Sequence, residues 1–172
     1  MKINKTLFML GAAVGVQLSS GVMAATVNGN ATALVITPLA ITETTVMDFG
    51  TISGGPSADT IVMDTAGVRT VTGTDAQTIA AGPGSAGSFT ITGEPSQAYS
   101  VSFSASATLD NGSGATMTVD SFTDNSPSPI DAGGTDTLLV GATLNVGANQ
   151  AAGNYSTTSG SGAPYSVTVN YN

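Results

Sequence analysis

The sequence predicts an all-β protein, an immunoglobulin-like β-sandwich of roughly 7–10 short strands. Three observations favour this fold class. Strand-favouring Thr and Val are abundant, and long runs of the helix formers Leu, Glu and Lys are missing. Apolar and polar residues alternate with a period of two in several stretches. Turn signals rich in Gly and Pro, as at 54–56 and 82–84, recur about every ten residues, a spacing typical of sandwiches.

The clearest element is a hairpin in the middle of the chain. Residues 99–109 place Tyr, Val, Phe, Ala and Leu on one face and Ser or Thr on the other. Residues 110–112, Asp-Asn-Gly, follow and form a strong turn signal, because Asn and Gly tolerate positive φ. The returning strand begins at Thr116 and continues past a predicted bulge to Phe122.

The remaining strands are predicted from shorter alternating stretches between turn signals. In chain order they are 33–42, 45–52, 60–63, 68–72, 88–92, 137–146 and 165–171. The Ser-, Thr- and Gly-rich stretch 156–162 is predicted to be a flexible loop. Most acidic residues fall at turns, where Asp forms hydrogen bonds to nearby backbone groups.

The first 24 residues are predicted to be a secretory signal peptide. A short basic start precedes an apolar run, and small residues at Ala24 and Ala25 provide the cleavage site. The apolar run is shorter than the about 20 residues that a membrane-spanning helix needs. We therefore expect one exported domain, residues 25–172, located at the cell surface or in the periplasm, with no integral membrane span.

Charge and missing residue types exclude several functions. Beyond residue 24, eleven acidic residues face a single cation, Arg69, which gives a side-chain charge of −10. Such a surface repels nucleic acid and anionic lipid. The chain has no His or Cys and, after the leader, no Lys, so a serine nucleophile would lack a base. We expect no enzymatic activity and no cofactor, and we predict that Arg69 forms a structural ion pair with a carboxylate.

The acidic residues could form one of two chemical sites, a pair of catalytic carboxyl groups or a calcium site, instead of ordinary solvated turns. A glycosidase needs two facing carboxyl groups, whereas the acidic residues here are scattered over turns. Calcium prefers oxygen ligands, and the places to look are residues 110–114 and Asp120 with Asp124 and Asn125. Neither place matches the spacing of a known calcium loop, so no metal ligand is predicted.

Both ends of the mature chain alternate regularly. The first apolar positions are Val27, Gly29, Ala31, Ala33 and Val35, and the last are Tyr165, Val167, Val169 and Tyr171. These ends resemble those of chaperone–usher pilins and of spore-coat-like pilins, although the disulfide of many such pilins is absent. The resemblance implies that residues 27–36 are donated as a strand to the next subunit. It also implies that residues 165–171 border the acceptor groove and face a chaperone.

A second resemblance covers nearly the whole mature chain. The sequence stretches that carry it are residues 37–42, 48–52, 67–69, 89–95, 117–122 and 139–155. With these stretches the chain is similar to a family of small exported proteins, largely of Gram-negative bacteria, known only as a domain of unknown function. That family implies a fold class and a compartment, and it supplies no catalytic residues.

The expected function is structural or adhesive: a pilin-like fimbrial subunit that assembles by β-strand donation. Its expected partners are further copies of the chain, or a pilus chaperone and usher. The alternative is a self-complete monomeric sandwich that binds a surface ligand, a glycan or calcium, in the periplasm or outside the cell.

Overall fold

The computed structural model describes residues 23–78, 82–125 and 127–172. They fall into two units, divided between Leu34 and Val35. In the first unit, the described residues 23–34 form no strand and are all exposed. The second unit contains eleven strands and, among its described residues, no helix. The predicted all-β sandwich class is thereby confirmed, while residues 1–22 of the predicted signal peptide lie outside the described residues.

The strands are short except for one near the end of the chain. In order they are β1 (Ala40–Thr45), β2 (Ile52–Ser53), β3 (Asp59–Met63), β4 (Arg69–Thr72), β5 (Gln77–Thr78), β6 (Gly87–Thr92), β7 (Tyr99–Phe103), β8 (Ser106–Asp110), β9 (Thr116–Asp124), β10 (Thr135–Val146) and β11 (Val167–Tyr171).

Strand β10 organises the sheets, which are antiparallel throughout. Its residues 135–140 pair with β6, and its residues 142–146 pair with β3. Strand β9 pairs with residues 140–145, and β8 pairs with β9. The outer strands of this large sheet are β1, beside β6, β4, beside β3, and β8, beside β9. Two smaller sheets consist of β7 with β11 and of β2 with β5.

Gly141 marks the point where β10 passes from β6 to β3. This residue is buried, and a Cβ built on it would overlap the backbone carbonyl oxygen of Met63. The close approach of the two backbones therefore requires glycine at this position. Strand β10 can consequently pair with β6 over one part of its length and with β3 over the other.

The interior consists of two apolar clusters formed by inward-facing residues of these strands. The first includes Ile61, Met63, Val119 and Leu144; the second includes Ile91, Tyr99, Ile130, Leu138 and Val140. Phe122 and Tyr165 pack against both clusters, and their stacked rings lie 4.7 Å apart between centroids. Burial of each large aliphatic side chain contributes about 1.5–3 kcal/mol to folding.

Most predicted strands differ from the observed ones at their ends, but the predicted strand 45–52 was wrong: residues 46–51 form no strand, only an isolated bridge at Asp48, because no neighbouring strand runs along them. Residues 99–109, predicted as one strand, are divided into β7 and β8 by residues 104–105. The predicted bulge before Phe122 is confirmed, because three steps along β9 oppose two along β10 and Ser121 has a φ of 53°. Residues 33–39 were predicted to be strand but form none. The strand begins only at Ala40, where β6 provides backbone partners.

Candidate functional site: a groove between the first and last strands

Strands β1 and β11 each have one unpaired edge. Within the described part of the chain, β1 pairs only with β6, and β11 pairs only with β7. Ile41 of β1 and Val167 of β11 both pack against the second core cluster. A groove of about 710 Å³ has both of these residues in its lining. Both strands therefore contribute to the lining of one opening, and each has an edge that pairs with no strand among the described residues.

The floor of the groove is formed by the core itself. Ala107 and Leu109 of β8, Met117 and Val119 of β9, and Leu144 of β10 all line it. These residues belong to the first core cluster or pack directly against it. An apolar floor under two open strand edges is suited to an extended peptide with apolar side chains on one face.

One wall of the groove continues beyond β1 through residues 46–52. Asp48 pairs with Ser85 through two backbone hydrogen bonds of 2.9 and 2.7 Å. Arg69 Nη1 donates a hydrogen bond of 2.7 Å to the Phe49 carbonyl oxygen. Arg69 therefore supports this wall. Its predicted ion pair with a carboxylate stays a prediction.

A buried carboxylate fixes the chain next to the same wall. Asp59, at the start of β3, is 6% exposed and accepts backbone hydrogen bonds from Thr74, Asp75 and Ala76. The hydrogen bond from Ala76, followed by those from Asp75 and Thr74, lowers the pKa of Asp59 despite its burial. This arrangement positions β5 to pair with β2, which contributes Ile52 to the groove.

The opposite wall depends on a second buried carboxylate, Asp110. Its oxygens accept hydrogen bonds from Gly112 N at 2.5 Å, from Ser161 N at 3.0 Å and from Ser161 Oγ at 2.6 Å. Backbone pairs also join Thr108 to Ala163 and Asp110 to Ser156. Residues 156–162 form no strand, as predicted for a loop, and hydrogen bonds at Ser156 and Ser161 join this loop to Asp110 of β8. Its flexibility stays a prediction.

Tyr171 closes the end of the opening between β1 and β11. Its hydroxyl accepts a hydrogen bond of 2.6 Å from Glu94 N and donates one of 2.7 Å to the Thr37 carbonyl oxygen. Thr37 N in turn donates to Glu94 Oε2 at 2.9 Å, which lowers the pKa of Glu94. We name these three residues the Tyr171 clasp. It fixes the distance between the residues that precede β1 and the end of β11.

Tyr155 and Tyr165 line the groove from the wall that precedes β11. The Tyr155 hydroxyl donates to the Ala151 carbonyl at 2.6 Å and accepts from Gln150 Nε2 at 2.7 Å. The Tyr165 hydroxyl is buried and has no hydrogen-bond partner among the described residues. Burial, with a smaller contribution from Glu43, raises its pKa to about 12. Tyr165 is therefore a neutral, mainly apolar part of the wall at physiological pH.

The domain should lose stability in acid. Hydrogen bonds, the largest contribution coming from the Ser161 side chain, hold the pKa of Asp110 below its ordinary value of 3.8. Backbone hydrogen bonds from residues 74–76 likewise lower the pKa of Asp59. Because these folded-state pKa values are lowered, the stabilisation is complete above the ordinary value and is lost as pH falls through the folded-state value. Urea unfolding from about pH 7 to about pH 2 should show a falling midpoint.

Ser161→Ala provides the matched test of this pH dependence. It removes the largest cause of the Asp110 shift, so the midpoint should fall less steeply below about pH 4 than in the parent chain. Ser159→Ala changes the same stretch without touching Asp110 and should keep the parent slope. Equal slopes in all three proteins would contradict the role given to Asp110.

The predicted donor residues lie in a different part of the chain from the groove. Val27, Gly29, Ala31, Ala33 and Val35 are exposed, with Val27 at 94% and Val35 at 91%. The predicted edge residues Tyr165, Val167, Val169 and Tyr171 are half-buried, and the last three lie in β11. Sequence reasoning missed the floor residues and the two anchoring carboxylates. Leu109 and Met117 flank the predicted hairpin turn, but no local signal in the sequence indicates that they line a groove.

The calcium candidates are occupied by other hydrogen bonds. Asn111 Oδ1 accepts from Ser113 N and Ala115 N, and Asp120 Oδ2 accepts from Asn145 Nδ2. Asn125 bonds to the backbone of β10 at Thr137 and Leu139 through its side-chain nitrogen and oxygen. In the described ranges no three acidic residues converge in a way that could hold a metal ion.

The fold and its groove define a class: an all-β sandwich-like domain in which, among the described residues, two strands with one unpaired edge each border a groove floored by core residues. The chain belongs to the family described as a domain of unknown function, DUF4402, which matches residues 39–171. No curated protein and no solved structure matches the chain. Among the described residues, no helix has both the length and the apolar character needed to cross a bilayer.

Proposed function

We propose that this protein is an exported, pilin-like structural subunit that assembles by β-strand donation. Residues 27–36 of one copy would occupy the groove of the next copy and pair with the open edges of β1 and β11. The observation that supports this proposal best is the groove itself, in which two strands, each paired on one side only among the described residues, flank an apolar floor. An inserted strand satisfies both backbone edges and covers the floor at the same time.

The chemistry of the donor segment matches that of the groove. Its odd-numbered face, from Val27 to Val35, carries only Val, Gly and Ala, which suit an apolar floor close to the backbone. As a strand these nine residues span about 30 Å. The groove wall formed by residues 41–52 is of comparable length in residues.

Charge also favours this segment as the occupant. Glu43 and Asp48 line the groove, and the mature chain carries eleven acidic residues against one arginine. Most segments of a second copy would bring further negative charge to this rim. Residues 25–36 contain no charged side chain, so they can approach without like-charge repulsion.

An exported subunit with an open groove needs protection before assembly. Open strand edges above an apolar floor are prone to indiscriminate pairing. A periplasmic chaperone that lends a strand to the same groove would provide this protection, and an usher would exchange it for the donor segment. Secretion and a location at the surface of a Gram-negative cell are parts of the same proposal.

The proposal is tested with residues 25–172 expressed in the periplasm. Light scattering and an unheated denaturing gel should show a ladder of multimers that collapses on boiling. Removal of residues 25–36 should abolish the ladder, and a synthetic peptide of residues 25–36 should bind the shortened domain and raise its Tm. The same peptide with Ala31 replaced by Asp is the matched control.

Two results would overturn the proposal. One is a full-length chain that stays a sharp monomer at every concentration tested. The other is a shortened domain that is indifferent to the peptide. A stable monomer would then favour the alternative, a self-complete sandwich whose groove or surface holds a glycan or another ligand.

A further inference from the structure

The chain contains two Asn-Gly pairs, Asn28–Gly29 and Asn111–Gly112, in opposite environments. We propose that Asn28–Gly29 is a site of spontaneous, non-enzymatic deamidation, and that the fold protects Asn111–Gly112 from the same reaction. The reaction needs a backbone nitrogen after Asn that is free to attack the Asn side chain. Glycine favours it because no Cβ hinders the approach.

The reaction is a nucleophilic acyl substitution within the backbone. The nitrogen of Gly29 bonds to Cγ of Asn28 and gives its proton to solvent base. The Cγ–Nδ2 bond breaks, and the nitrogen leaves as ammonia after taking up a proton. Water then opens the five-membered succinimide at one of its two carbonyls, which yields aspartate or isoaspartate. The balance is one amide and one water converted to one carboxylic acid and one ammonia, without oxidation.

Nothing in the described structure restrains Asn28 or Gly29. Both are exposed and lie outside any strand. No atom lies within 4 Å of the position that a Cβ on Gly29 would take; because the same holds for Gly112, the two pairs differ in their hydrogen bonds and not in crowding at glycine. The side chain of Asn28 can therefore rotate onto the following nitrogen without breaking a contact within the described ranges.

The second pair is held away from the reactive geometry. Gly112 N, the nitrogen that would attack, donates a hydrogen bond of 2.5 Å to Asp110 Oδ1. Asn111 Oδ1 accepts hydrogen bonds of 2.9 Å from Ser113 N and 3.1 Å from Ala115 N. Attack would require all three to break in a turn anchored by a carboxylate that is 1% exposed.

The consequence for assembly rests on the proposed function. Isoaspartate inserts one extra carbon into the backbone and ends the alternation that places Val27 and Gly29 on one face. A segment that carries isoaspartate therefore loses its register as a donor strand, whereas the aspartate product keeps the backbone and adds a negative charge. In an assembled fibre the strand is held extended in the groove, so the reaction is confined to unassembled subunits. The labile pair would thereby remove the donor activity of chains that stay unassembled for long.

The test incubates residues 25–172 in mildly alkaline buffer and follows both sites by peptide mass, isoaspartate content and ammonia release. Asn28 should deamidate at least about tenfold faster than Asn111 in the folded chain, because exposed and protected sites differ by their opening equilibrium. In urea the two rates should become similar. Asn28→Gln should remove most of the ammonia released by the folded chain, whereas Asn111→Gln should leave it unchanged.

Equal rates at the two sites in the folded chain, or a difference that persists unchanged in urea, would overturn the assignment. Polymers add a separate readout, since Asn28 should be protected in the multimer bands relative to monomer from the same sample. If no polymers form while Asn28 still reacts faster, the modification site stands and the strand-donor function fails. If polymers form without protecting Asn28, the link to assembly is wrong.

Discussion

Ala31→Asp should abolish polymerisation, while Asn30→Asp should leave it near the parent level. Ala31 lies in the middle of the apolar face of the donor segment, so a carboxylate there would be buried against floor residues such as Leu109 and Met117. An unpaired buried charge costs several kcal/mol, enough to remove most of the donor affinity. Asn30 belongs to the opposite, outward face. Multimers are counted on unheated gels and by light scattering.

The two variants carry the same added charge one residue apart, which makes them a matched pair. Both positions are exposed in the single chain, so neither substitution should change the Tm of the monomer. Loss of the ladder in both variants would indicate a general charge effect. Loss in the Asn30 variant alone would mean that the opposite face of the segment enters the groove.

Gly141→Ala should destabilise the domain by about 1–3 kcal/mol or more, the usual cost of forcing extra atoms into a packed interior. The added methyl group would meet the Met63 carbonyl oxygen, which is backbone and cannot swing aside. Relief would require β3 and β10 to separate where Met63 pairs with Ala142. Urea unfolding of the folded chain measures the loss of free energy.

Gly147→Ala is the control for this substitution. Its added methyl group would approach only the end of the Gln150 side chain, which can shift at the cost of its hydrogen bond from Gly147 N, whereas backbone cannot shift. We expect a loss well below that of the Gly141 variant. Equal losses of unfolding free energy at the two positions would show that β10 does not depend on close backbone contact at Gly141, where its partner changes from β6 to β3.

The sequence predicts best the elements whose alternation of apolar and polar residues is complete, whether their strand partner is near in the chain, as for β8 and β9, or distant, as for β11 and β7. The hairpin at 110–112 is of this kind, because its two strands pair directly and its turn residues favour positive φ. The final strand is another, since Val167, Val169 and Tyr171 alternate with polar residues and face the core. Local preference and tertiary packing agree in both cases.

Elsewhere the outcome depends on partners that are distant in the sequence. Residues 33–39 contain strand-favouring Val, Ile and Thr, yet no strand among the described residues offers them backbone partners. Residues 156–162 have the composition of a linker, but they form hydrogen bonds to Asp110, about fifty residues earlier. The groove likewise depends on strands that do not pair with each other. Composition and periodicity do not indicate which strands these are.

The Tyr171 clasp has a mechanical consequence in a fibre built by strand donation. Tension along such a fibre would enter each subunit through the residues just before Thr37, where the donor segment joins the domain. Through the Tyr171 hydroxyl the pull on Thr37 is shared with β11 and, through Glu94, with the turn after β6. A force applied at one point of the chain is thereby distributed over three separate elements, and β1 is protected from being peeled away from β6 alone.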